Sequence, residues 1–131
     1  PIWSTKDAFD AAFNEGLEFC VNHIDCFALC CGTHNEESTR YLTELMTKAA
    51  LTSRDERIYF SQLLGMSDHI TFSLSKAGYR VAKYMPYGPV REVLPYLSRR
   101  ARENSSISNQ SSRELSLIRA ELKRRRLVPQ D

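Results

Sequence analysis

Two adjacent arginines, Arg99 and Arg100, stand in the stretch YLSRRARENS with Tyr96 before them and Glu103 after them. On a helix advancing about 100° per residue, these four side chains fall within an arc roughly 100° wide. Two planar, permanently charged guanidiniums on one face can grip a carboxylate through paired hydrogen bonds. A glutamate one turn further on complements an amine or another polar group. The quartet therefore suits a small zwitterion. A plainer reading also fits the spacing: Arg99 and Glu103 form an i, i+4 pair, Tyr96 stacks on Arg100, and the face is simply solvated.

The helix that must carry the quartet is GPVREVLPYLSRRAREN, with Pro89 at its first position after Gly88, where a missing N–H costs nothing. Val90, Val93, Leu94, Leu97 and Ala101 recur in the i, i+3, i+4, i+7 rhythm of one buried stripe beside the quartet. Upstream, residues 4–24 predict a helix started by Ser4 and Asp7, with Phe9, Phe13, Leu17, Cys20, Val21 and Ile24 along one side. CFALCCG, residues 26–32, is too short for a helix and apolar enough for a strand covered on both faces. It stops at Thr33, His34 and Asn35.

EESTRYLTELMTKAAL then reads as a helix with Tyr41, Leu42, Leu45 and Met46 inward, and ERIYFSQLLGM, residues 56–66, as a second buried strand. SDHITFSLSKAGY offers Ser67 as an N-cap and Gly78 as a stop, and RVAKYMPYG, residues 80–88, is a third strand broken by Pro86. The order helix, strand, helix, strand, helix, strand, helix predicts an α/β fold with a parallel sheet and helical crossovers. Ligands of such folds sit at the carboxyl ends of the strands. Those ends are Thr33 to Asn35, Leu63 to Met66, and Tyr84 to Gly88. SSISNQSS, residues 105–112, reads as a polar loop before a last helix capped by Ser111 and Glu114, with Leu115, Ile118 and Leu122 inward. The chain accordingly divides into residues 1–104 and residues 105–131.

Composition limits the function classes. With 131 residues, 42% hydrophobic and 26% charged, the chain is one globular domain's worth of sequence. A net charge of +2 demands neither a nucleic-acid nor a membrane partner. Between residues 113 and 127 six basic residues face two acidic ones, which suits a solvated helix end or contact with an anionic membrane. No aromatic residues interleave there, which argues against nucleic acid. No apolar run approaches the roughly 18 residues of a membrane span. The start at Pro1, without methionine or a signal pattern, suggests a natural start further upstream. Cys20, Cys26, Cys30 and Cys31 lack paired zinc spacing and read as reduced, buried small hydrophobes of an intracellular protein. His23, His34 and His69 show no metal-holding spacing.

GMSDHITFSLSKAGYRVAKYMPYGPVREVLPYLSRRAREN resembles the C-terminal signature of proline dehydrogenases, and THNEES resembles the same family's sixth-strand motif. These flavin-dependent enzymes oxidise L-proline to Δ1-pyrroline-5-carboxylate. The resemblance implies the last three βα units, strands six to eight, of a (βα)8 TIM-like barrel holding FAD, followed by a C-terminal helix. It implies that Arg99 and Arg100 grip the substrate carboxylate, that Tyr96 and Tyr84 wall the pocket, and that Leu63 touches the substrate ring. Glu103 would lie close to the substrate and its arginines, and Thr33, His34 and Asn35 would contact FAD.

The family's catalytic lysine and aspartate belong to earlier strands, so no catalytic residue is expected here. A complete barrel runs to about 250 residues, roughly twice this chain. In the related hydroxyproline dehydrogenases a serine resembles the Tyr84 position, so the tyrosine favours proline. A quinone-type acceptor is implied, with peripheral membrane association and no nucleic acid. The wording of KYMPYGPV suggests a mitochondrial enzyme, on the inner membrane or matrix side, if the source is eukaryotic, and a cytoplasmic or membrane-peripheral one otherwise. Three alternatives stay open: a truncated, non-catalytic remnant, a module that binds carboxylates or other anions, and a hydroxyproline dehydrogenase.

Overall fold

The computed structural model describes residues 3–106 and 108–125. In the last two helices the side chains of residues 101, 103–106 and 108–114 lie outside that description. The chain forms two compact units that divide between Met85 and Pro86. Each is taken by itself.

The first unit alternates α1 (Lys6–Asn22), β1 (Leu29–Gly32), α2 (Glu36–Lys48), β2 (Ile58–Leu63), α3 (Asp68–Lys76) and β3 (Val81–Tyr84). The strands form a parallel sheet in the order β1-β2-β3. This is the expected alternation, with shorter strands. The helix starts follow local chemistry. Thr5, rather than Ser4, caps α1 by accepting a hydrogen bond from the Ala8 N–H at 3.2 Å. Asn35 caps α2, its Oδ1 accepting from Glu37 and Ser38. Gly78 ends α3 at φ +86, a conformation that favours glycine.

Register decides what the sheet buries. Leu29 pairs with Ile58, Cys31 with Phe60, Phe60 with Val81 and Leu63 with Tyr84, so matched residues project to the same face. Leu29, Cys31, Ile58, Phe60 and Val81 meet Leu17, Val21 and Ile24 of the α1 segment, Leu42, Leu45 and Met46 of α2, and Ile70 and Leu74 of α3. Phe60, 1% exposed, meets Tyr79 edge-on at 5.5 Å. The opposite face carries Cys30, Gly32, Tyr59, Ser61, Leu63, Ala82 and Tyr84, none of them buried. The expectation of strands covered on both faces is therefore corrected: among the described residues of this unit, its helices cover one face. Apolar runs such as CFALCCG reveal that a strand is apolar, not which side the chain itself covers.

The cysteine reading changes for the same reason. All four thiols are free, as expected, but only Cys31 is buried, while Cys20 is half-buried and Cys26 and Cys30 are exposed. Burial pushes the Cys31 thiol up to about 12.

The second unit consists of α4 (Val90–Ser106) and α5 (Ser108–Arg124). Helix α4 begins one residue later than expected, with the Pro89 carbonyl accepting from Glu92 and Val93. The polar loop expected at 105–112 is also corrected, because helix runs to Ser106 and resumes at Ser108. SSISNQSS contains neither glycine nor proline, and its serines cost a helix only about 0.5 kcal/mol each relative to alanine. Val90, Leu94 and Leu97 were expected to be buried and are exposed, as are Leu115 and Ile118, with Leu122 half-buried. Periodicity identified the apolar side of each helix but not its covering.

One ionic clasp fixes the entry to β2. Arg57 donates from Nε and Nη2 to the two Asp55 oxygens at 2.9 and 2.7 Å, and from Nη1 to Asp25 at 3.0 Å. The bonds from the Arg57 side chain to Asp55, with the one from the Arg57 N–H, lower the Asp55 carboxyl from 3.8 to about 2. A depressed folded value makes this contribution complete above the ordinary carboxylate value and lost as pH falls from about 4 to about 2. Acid unfolding followed by circular dichroism should therefore begin at higher pH in Asp55→Asn, with less pH dependence in that window.

Candidate functional site

The carboxyl ends of the three strands bring Thr33, His34 and Asn35, Leu63, and Tyr84 to one edge of the sheet. Leu63 and Tyr84 are register partners on the open face, with Tyr84 54% exposed. Thr33, His34 and Asn35 are half-buried. Their local bonds leave specific donors. Thr33 Oγ1 accepts from the Asn35 N–H at 3.1 Å, and among the described residues its hydroxyl proton meets no acceptor. Asn35 uses Oδ1 on the α2 N-terminus, and among the described residues its Nδ2 protons meet no acceptor. His34 Nδ1 and the Ser67 hydroxyl are hydrogen-bonded at 2.8 Å.

That last bond explains an oddity of α3. Ser67 sits at the expected N-cap position with φ 49, fully buried, yet its side chain caps nothing. The hydroxyl turns instead toward a histidine 33 positions earlier. A non-glycine residue in the left-handed region is strained, and such strain persists only where surrounding contacts hold it.

Behind the edge lies a polar layer. Gln62, 2% exposed, donates from Nε2 to the Thr33 carbonyl at 3.3 Å and accepts from the Thr71 hydroxyl at 2.9 Å. Lys83 donates to the Met66 carbonyl at 2.6 Å and pairs with Asp68 at 2.7 Å. His69 pairs with Glu36 at 3.1 Å, linking α3 to α2. The sequence reading missed Gln62, Ser67 and Lys83 as supports. Polar residues at strand and turn positions flanked by apolar ones, as in IYFSQLL and VAKY, are the signal that could have found them.

In the second unit α4 gathers Tyr96, Arg99 and Arg100, with the guanidinium carbons 5.9 and 5.5 Å from the tyrosine ring centroid. Tyr96 and Arg100 are half-buried and Arg99 is exposed. Glu103 lies on the backbone of the same helix, and its side chain falls outside the description. The cluster presents two permanent cations beside an aromatic wall, a surface suited to a carboxylate on an apolar ring. Among the described residues no group of three His, Cys, Asp or Glu could hold a metal ion. None of the described helices is long and apolar enough to cross a membrane.

Residues 1–113 match the family described as proline dehydrogenase. The chain belongs to the proline dehydrogenase family. Proline dehydrogenase 1, mitochondrial, of Bos taurus is 45% identical over 128 residues, covering 95% of this chain and 22% of that protein. Hydroxyproline dehydrogenase of Homo sapiens is 40% identical over 131 residues, 97% of this chain and 28% of that protein. The chain thus spans about a fifth to a quarter of the length of these relatives. Among solved structures, proline utilization A from Bdellovibrio bacteriovorus, inactivated by N-propargylglycine, superposes with a TM-score of 0.74 at 25% identity. The match covers 82% of this chain and 11% of that one. The parallel α/β arrangement is therefore one that proline utilization A also contains.

The polar layer carries a stability expectation. Gln62→Met keeps the volume but takes a donor from the half-buried Thr33 carbonyl and leaves the buried Thr71 hydroxyl with its longer bond to the Ser67 carbonyl at 3.3 Å. Denaturant unfolding should show a loss of about 1–3 kcal/mol.

Proposed function

We propose that this chain is the C-terminal, substrate-gripping part of an FAD-dependent proline dehydrogenase, supplying strands six to eight of a (βα)8 barrel. The observation that carries the reading is the pair of guanidiniums gathered on the Tyr96 ring. Family membership supports it.

In this reading Arg99 and Arg100 bind the carboxylate of L-proline and fix its direction, with Glu103 close to them. Tyr96 and Tyr84 wall the ring, and Leu63 gives it an apolar contact. Holding a rigid ring in one orientation removes the entropy that a productive encounter would otherwise cost. Thr33, His34 and Asn35 are the residues that would hold FAD. Their donor set fits a polar, acceptor-rich cofactor, since the Thr33 hydroxyl and the Asn35 amide keep protons to give. The cofactor's own chemistry is to take up the hydride as proline becomes Δ1-pyrroline-5-carboxylate.

The bare face of the sheet supports the barrel assignment. In a closed barrel that face points inward, where side chains from neighbouring strands fill the interior. Tyr84 adds bulk at the strand end and favours proline over hydroxyproline. The mitochondrial names of the bovine and human relatives support a mitochondrial setting, on the inner membrane or matrix side, in a eukaryotic source. A quinone-type acceptor and peripheral membrane association belong to the same proposal.

The deciding experiment is anaerobic titration of the flavin-loaded full-length protein with L-proline, followed at the visible flavin absorbance. Bleaching by proline and poor bleaching by 4-hydroxyproline is expected. A flavin that proline leaves oxidised, or a protein that binds none, overturns the reading and favours a remnant or an anion-binding module. Arg99→Met and Arg100→Met should each raise the KM for proline at least about tenfold, given about 1.5–3 kcal/mol for a charged hydrogen bond.

The barrel assignment makes a separate prediction. Cys30 should react with iodoacetamide in the 131-residue chain, where it is exposed, and should be protected in the full-length protein. Mass spectrometry of the alkylated peptides reads both states.

A further inference from the structure

Lys83 sits on the helix-covered face of β3, opposite Gln62 in register, while its neighbour Tyr84 projects to the other face beside Leu63. Its ammonium donates to the Met66 carbonyl at 2.6 Å and the Leu63 carbonyl at 3.4 Å, and pairs with Asp68 Oδ1 at 2.7 Å. An ammonium has three protons, and here they meet three acceptors. The three acceptors run from the last residue of β2 through the turn to the first residue of α3.

The backbone ladder extends past β2 through the Leu64 N–H, which donates to the Tyr84 carbonyl at 3.0 Å. Two residues beyond Tyr84 stands Pro86, which has no N–H with which to continue the ladder. The turn itself is unusual, with Gly65 at φ +77 and Ser67 at φ 49. It also carries the Ser67 hydroxyl that meets His34. Lys83 occupies the place where backbone bonding runs out.

We infer that Lys83 is a positioning residue: its ammonium clasps the β2–α3 turn to β3, fixes how the chain departs from the Leu63–Tyr84 pair, and thereby sets the ring substituents the site accepts. The inference rests on the reading that Leu63 and Tyr84 line a proline site. Lys83 does not touch the substrate in this account. It acts through the Leu63 and Met66 carbonyls.

The test measures kcat/KM for L-proline and for trans-4-hydroxy-L-proline on the full-length flavin-loaded protein and its Lys83→Met, Lys83→Arg and Asp68→Asn variants. Tm and flavin occupancy are recorded for each. Lys83→Met should narrow the preference for proline about tenfold, the scale on which pockets sort small ring differences, chiefly by raising the KM for proline. Lys83→Arg, which keeps charge and donors, should retain most of the preference. A merely structural lysine would lower Tm or occupancy and leave the preference unchanged in the folded fraction, and that result overturns the inference. If Lys83→Met does not fold, Asp68→Asn decides. It removes the charge from one acceptor, so a smaller narrowing supports the clasp and an unchanged preference defeats it. Wild-type protein that holds flavin but oxidises neither substrate defeats the underlying reading and this inference with it, a result separate from a variant that merely keeps its preference.

Discussion

Parallel pairing in matched register is the constraint on which the rest depends. A parallel strand pair cannot be closed by a tight turn, so each strand must be followed by a crossover long enough to carry the chain back. Helices α2 and α3 are those crossovers, and both lie on the face that holds the apolar core. The same constraint sends all three carboxyl ends to one edge. Core and candidate site therefore come from a single geometric requirement: residues 29, 31, 58, 60 and 81 face the helices, and the strand ends at 33, 63 and 84 emerge together.

The edge of that core is polar for a physical reason. Where strands turn into helices, backbone carbonyls and amides lose their ladder partners, and burial makes each unpaired group costly. Gln62 and Lys83 take up the carbonyls of Thr33, Leu63 and Met66, and Asn35 satisfies the first amides of α2. The turn after β2 is thus specified by side chains rather than by hydrophobic packing. Polar bonds have narrow geometric tolerance, so the residues they hold are placed more sharply than a packed apolar loop would be.

Element order, strand direction and the helix faces were legible in the sequence because they follow from periodicities of a few residues. Leu42, Leu45 and Met46 read correctly from spacing alone, whereas Asn35 as the cap of α2 emerged only in the structure. Burial was less legible, since an apolar face signals a need for cover without saying what supplies it. Cys30 and Cys31 make the point: they are adjacent and chemically identical, yet pleating sends one into the core and the other to the bare face. The supports of the candidate site were the least legible. The bond between His34 and Ser67 spans 33 positions, and no local pattern encodes a contact at that separation. Glu103 as a neighbour of the arginines lies outside what the described side chains can address.

In the proposed carboxylate grip, an aromatic ring is a good anchor for the arginine pair. A guanidinium held by an acidic neighbour spends its in-plane N–H groups on that neighbour and has its charge neutralised. Held over a ring, it uses its positive charge against the negative face of the π-system. A stacking contact of this kind does not itself engage the N–H groups, which point along the edge of the guanidinium plane. Arg99 and Arg100 follow Tyr96 by three and four residues, the two offsets at which helical side chains reach the same neighbour. Adjacent arginines on a helix would ordinarily repel and diverge. A tyrosine one turn before them offers both a common resting place, and that turns like-charge proximity into a usable concentration of positive potential.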